Sequence, residues 1–154
     1  AAAGLNQPVP GATVTSPFGW RIHPILHRRR FHKGVDFGAP EGTPVHASAD
    51  GVIEEMGRRG HYGLYLRIRH SGTVQTAYAH LEGFTPGLAV GATVRRGEVV
   101  ANVGHTGWAT GPHLYYEVIV DGQRIDPRKP GLQVLVQARQ GETPPPPSTT
   151  GGMP

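Results

Sequence analysis

Residues 111–117 read Gly-Pro-His-Leu-Tyr-Tyr-Glu and run on into Val118, Ile119 and Val120. Side chains alternate across a strand, so His113, Tyr115, Glu117 and Ile119 share one face, and Leu114, Tyr116, Val118 and Val120 share the other. The second face is apolar and reads as core. The first carries a histidine, a phenol and a carboxylate in a row, which taken alone is an ordinary solvated face of an antiparallel sheet. Asp121-Gly122 follows as a hairpin turn signal.

The same grammar repeats on the N-terminal side. Leu64, Leu66 and Ile68 alternate with Tyr65, Arg67 and Arg69, and Ser71-Gly72 turns the chain into Thr-Val-Gln-Thr-Ala-Tyr-Ala-His-Leu, residues 73–81. Asp50-Gly51 breaks another pair of extended pieces. No segment offers a long amphipathic helix. With 23 Gly and 15 Pro among 154 residues, many turns between short strands are expected. The predicted fold is all-β, a mostly antiparallel sheet domain with an open groove and much of its mass in loops.

Three regions follow from composition: a Pro-containing leader over residues 1–11, the domain over 12–138, and a proline-rich tail or linker over 139–154. The first residues lack the charged-then-apolar profile of a signal peptide, as does a secreted chain after processing. No apolar run reaches the ~18 residues of a membrane span. Cysteine is absent, so any metal must be held by nitrogen and oxygen ligands. Lys and Arg number 15 against 11 acidic residues, with much of the excess in Arg28-Arg29-Arg30 and Arg58-Arg59. Such clusters meet water, an anionic wall polymer or nucleic acid. No nucleic-acid-binding motif accompanies them, and no nucleic-acid partner is expected.

The nine histidines bring the chemistry into view. His32 and Asp36 form an H-x-x-x-D pair, of which chance supplies about 0.2 in a chain of this composition. Gly34 between them permits a backbone path that aims both side chains at one point. His80 ends one strand and His113 opens another, so antiparallel pairing can bring both into one groove. A zinc hydrolase needs three protein ligands, an open position for water and a polarising group beside it. His32 and Asp36 count as two ligands, His80 and His113 as outer groups, and a third ligand is missing. His23 reads as packing at a rim. His27, His46, His61, His70 and His105 read as surface or turn residues, and Tyr65 and Trp108 as packing ahead of groove lining.

From Val14 to Pro127 the chain resembles the lysostaphin/LytM-like family of zinc metallopeptidases. The resemblance runs through SPFGWRIHPI, FHKGVDFGAPEGTPVHASADGVI, YGLYLRIRH, TAYAHL, VRRGEVVANVGHTGWATGPHL and YEVIVDG. It implies the duplicated-hybrid-motif fold and a zinc cofactor, with His32 and Asp36 as metal ligands and His80 and His113 as catalytic residues. It further implies a bacterial, periplasmic or extracellular setting, with peptidoglycan as partner and its peptide cross-links as substrate. The second histidine of the family's H-x-H is its third zinc ligand, and here that position is Tyr115. A phenolate can ligate zinc, but its oxygen lies roughly 2–3 Å further from the backbone than a near-ring imidazole nitrogen, while zinc–ligand distances tolerate only about ±0.2 Å. The metal must move, the backbone must yield, or Tyr115 must swing out. Two functions stand side by side. One is an endopeptidase with impaired or altered metal chemistry, whether Tyr115 is native or was introduced to trap an inactive form. The other is a degenerate domain that binds wall or regulates a wall amidase or division protein.

Overall fold

The structure is a computed structural model, and it describes residues 4–140. Twelve strands form in chain order. They are β1 (Val14–Ser16), β2 (Gly19–Ile22), β3 (Arg29–His32), β4 (Val35–Gly38), β5 (Pro44–His46) and β6 (Gly51–Arg58), then β7 (Leu64–Arg69), β8 (Val74–Phe84), β9 (Thr93–Val94), β10 (Val99–Val103), β11 (His113–Val120) and β12 (Gln123–Ile125). Ten of them make one sheet with the path β1-β4-β11-β8-β7-β6-β9, to which β10, β5 and β12 attach. β2 and β3 stand apart as a two-stranded ribbon, and every pairing is antiparallel. The all-β antiparallel reading holds.

The predicted turns sit where the sequence puts them. Asp121 and Gly122 both have positive φ (52° and 79°) and join β11 to β12, the backbone handedness a tight hairpin requires. Gly72 (φ 67°) serves the turn from β7 to β8. One short helix, α1 (Leu132–Gln140), buries only Leu132 and Val136, one turn apart. Its single-turn apolar contact is too brief to register as a long amphipathic pattern.

The main core is apolar, with Val35, Ile53, Leu66, Ile68, Leu81, Leu114 and Val118 buried in it. Packing reaches beyond residues 12–138 at both ends. Val9 is buried in this core, Asn6 N–H donates to the Ser48 carbonyl, and Gln140 Nε2 donates to the Gly4 carbonyl. The tail from residue 141 lies outside the described residues.

The polar face of β11 departs from a solvated one. Tyr115 and Glu117 are both buried, and a second, small cluster of Tyr65, Ala77, Ala79 and Tyr115 forms beneath the groove. Tyr62, from the 3₁₀ turn Gly60–Tyr62, packs on that cluster and covers the face. β11 is central, flanked by β4 and β8. Its register sets Tyr115 opposite both Asp36 and Ala79, and this brings three sequence-distant segments to one floor.

Candidate active site

His32, Asp36, His80, His113 and Tyr115 all line one open groove of about 300 Å³. β3 and β4 deliver His32 and Asp36 on either side of a tight turn at Gly34. A Cβ at Gly34 would collide with the Tyr116 carbonyl and press on the Tyr115 ring, so this close approach requires glycine. His32 Nε2 and His113 Nε2 stand 3.6 Å and 3.4 Å from the same oxygen, Asp36 Oδ1. The His80 and His113 rings are 4.9 Å apart between centroids.

The three imidazoles share one anchoring device. His32 Nδ1 lies 3.0 Å from the Pro17 carbonyl, His80 Nδ1 2.7 Å from the Thr106 carbonyl and His113 Nδ1 2.9 Å from the Gly111 carbonyl. A carbonyl oxygen only accepts, so each Nδ1 donates its proton there and each Nε2 is the nitrogen turned to the groove. His80 adopts a left-handed backbone (φ 60°), which costs a non-glycine residue about 1–2 kcal/mol. His80 does not end a strand as the sequence suggested: it lies inside β8 where the register against β7 shifts, and the strained backbone there lets the side chain leave the regular ladder and enter the groove.

Electrostatics separate these groups. Burial pushes His80 down to about 4, helped by His113 and opposed by its bond to Thr106, so it is neutral near pH 7. Burial alone would raise Asp36. The approach of His32 Nε2 at 3.6 Å, with His113 and Arg21 nearby, outweighs it and holds the carboxyl below its usual range.

Tyr115 faces elsewhere. Its phenol donates to Glu117 Oε2 at 2.7 Å. Glu117 is wholly buried, accepts a second bond from Tyr62 at 3.1 Å on the same oxygen, and meets Arg124 Nε at 3.4 Å through Oε1. Burial, then the Glu117 charge, pushes the Tyr115 phenol far above the ordinary tyrosine range. The phenolate needed for metal ligation is therefore strongly disfavoured. Tyr115 lines the groove with its ring while its oxygen is bonded to Glu117. Without the Tyr115 oxygen, His32 and Asp36 are two of the three donors a zinc hydrolase centre needs, and His113 Nε2 stands beside them, 3.4 Å from the same Asp36 oxygen.

The groove also takes in residues without an assigned role in its chemistry. His61 and Trp108 form a wall, their rings 5.2 Å apart, and His23 approaches Trp108 at 6.2 Å. Tyr62, the first residue of the YGLYLRIRH stretch, stacks on Tyr115 at 5.7 Å. His70 is not a surface residue. It is buried between the Asp50 carbonyl and Thr76 Oγ1, a structural role that desolvation and two bonds explain.

Fold and groove together define an all-β domain of metallopeptidase type. The chain belongs to peptidase family M23, whose pattern it matches over residues 30–127. It is 51% identical over 125 residues to the DD-carboxypeptidase/endopeptidase Mpg of Neisseria meningitidis serogroup B, covering 80% of this chain and 28% of that protein. It is 39% identical over 127 residues to the peptidoglycan DD-endopeptidase ShyC of Vibrio cholerae, covering 82% and 29%. A zinc-containing peptidase from Vibrio cholerae superposes with a TM-score of 0.76 at 36% identity, covering 83% of this chain and 40% of that one. The chain thus spans under a third of the length of these curated relatives. Family membership implies a metal.

Proposed function

We propose that this M23 domain is directed at the peptide part of bacterial peptidoglycan in the cell envelope, with its zinc-dependent endopeptidase chemistry impaired by Tyr115. One observation carries the impairment. The phenol of Tyr115 is committed to the buried carboxylate of Glu117 at 2.7 Å, so its oxygen is not offered to the groove. The wall polymer follows from the likeness to a peptidoglycan DD-endopeptidase and from an open groove able to take an extended peptide.

In this reading His32 and Asp36 are the two retained metal-ligand positions. His80, neutral near pH 7 with its proton on Nδ1, presents an Nε2 that accepts a hydrogen bond from a peptide or from its attendant water, and His113 turns its Nε2 into the same groove. The second reading, a domain that binds wall or regulates a wall amidase without hydrolysis, draws on the same diverted phenol. Metal analysis with sacculus assays separates the two. The purified chain should retain well under one zinc after dialysis, sediment with sacculi and release soluble fragments slowly. Sedimentation with no release even in excess zinc would give the second reading. A tightly held zinc with rapid digestion would overturn the impairment.

A further inference from the structure

The β2–β3 ribbon that walls the groove carries more positive charge than its own fold neutralises. Arg21 and Arg30 are direct cross-strand partners, and both line the groove. Like charges placed opposite each other destabilise a strand pair. Among the described residues no carboxylate forms an ion pair with either guanidinium, whereas Arg59, Arg67 and Arg124 each meet one. Lys33 joins them on the lining, and Asp36 is the one carboxylate there. This excess of fixed positive charge exists before any metal ion is counted. His23, between ribbon and opposite wall, feels the same field, its pKa lowered first by burial and then by Arg21 and Arg30.

We infer that Arg21 and Arg30 form an anion subsite for a free carboxylate, so that the groove selects an acidic peptide over an uncharged one. A carboxylate between two guanidinium forks gains charge-assisted, bidentate bonds and removes the repulsion the ribbon otherwise carries. The opposite wall, Trp108 with His61, offers flat ring faces to the peptide around that charge. The inference rests on the peptidoglycan reading for the identity of the polymer, while the carboxylate preference stands on the arginine pair.

The test compares sedimentation with native sacculi and with sacculi whose carboxyls have been amidated with carbodiimide and methylamine, at one ionic strength. Wild type should bind the native form about tenfold or more tightly, the scale of a single charged hydrogen-bonding contact. Arg21→Gln/Arg30→Gln should bind both forms alike, at the amidated level. It should melt no lower than wild type, because a repulsive pair has gone. Arg58→Gln/Arg95→Gln removes the same charge from exposed positions outside the groove and should keep the preference. Equal wild-type binding to both sacculi, or a preference that survives the Arg21/Arg30 change, would overturn the subsite and leave the peptidoglycan reading standing. Wild type that sediments with neither form ends the peptidoglycan reading. Tryptophan fluorescence with tri-alanine and its C-terminal amide then decides the subsite: a response to the free acid alone supports it, and a response to neither or to both equally overturns it.

Discussion

His113 and Tyr115 stand two residues apart on one face of β11, yet their polar atoms serve different partners. His113 is tied at Nδ1 to the Gly111 carbonyl and turns Nε2 toward Asp36. Tyr115 sends its only polar atom to Glu117, beneath the groove floor. Strand alternation places both side chains correctly, so the face is right in both cases. Imidazole has two nitrogens and can be anchored by one while working with the other. A phenol has a single oxygen, and once that oxygen is bonded to a buried carboxylate nothing remains for the groove.

The strongest way to break this contrast is Tyr115→His. An imidazole there has the means to donate one N–H to Glu117 and aim its other nitrogen at the position between His32 and Asp36, the carboxylate–histidine arrangement that stabilises metal sites. Zinc sites with four ligands release about 10–16 kcal/mol, so one more ligand should tighten zinc by about a hundredfold to a thousandfold. Competition titration against a chelator reads this directly, and sacculus digestion should rise with it. Adding Glu117→Gln to Tyr115→His should return about 10–100-fold of the gain. An unchanged zinc affinity in Tyr115→His would mean that the floor, and not the side chain, fails to form a metal site.

A somewhat smaller effect sharpens the contrast through pH. His80 is pushed down to about 4 in the folded protein, mainly by burial, against 6.5 when unfolded. Between those values the unfolded chain binds a proton that the folded chain does not. Its contribution is therefore complete above pH 6.5 and is lost as pH falls toward 4, amounting to about 3 kcal/mol across that window. Asp36, whose pKa is lowered, loses its contribution only at still lower pH. Urea unfolding from pH 4 to 7.5 should show the slope. His80→Asn, which tolerates the left-handed backbone, should flatten it. Tyr115→Phe should leave it untouched, because the phenol stays protonated throughout.

How much of this the sequence discloses depends on how local the cause is. The alternation in β7, β8 and β11 and the Asp121-Gly122 turn are statements about neighbours, and the sheet follows them. His32, Asp36, His80 and His113 stand out because their residue types and spacing are chemically rare. Tyr62 and His61 do not, since their place over β11 depends on a short turn folding across a distant strand. The opposition of Arg21 and Arg30 depends in the same way on the register of a ribbon, of which the sequence shows only two basic stretches. Burial of Glu117 was hidden for a further reason. A carboxylate in a strand reads as solvent-facing until the phenols and guanidinium that compensate it are assembled around it.

The smallest predicted effect isolates the diverted phenol most cleanly. Tyr115→Phe keeps the ring, and with it the stack against Tyr62, and removes only the oxygen. Glu117 keeps its bonds to Tyr62 and Arg124 but loses one partner in a buried, charged hydrogen bond, a loss of about 1.5–3 kcal/mol. Denaturant unfolding should register it as a shift in midpoint with an unchanged slope. Zinc retention, measured on the same samples, should not move, because the atom removed is not a ligand. The reverse pattern, full stability with zinc affinity reduced tenfold or more, would place the Tyr115 oxygen on the metal in solution. Stability falling alone ties the oxygen to Glu117 and leaves His32 and Asp36 as the only two of the family's three ligand positions still filled by donors.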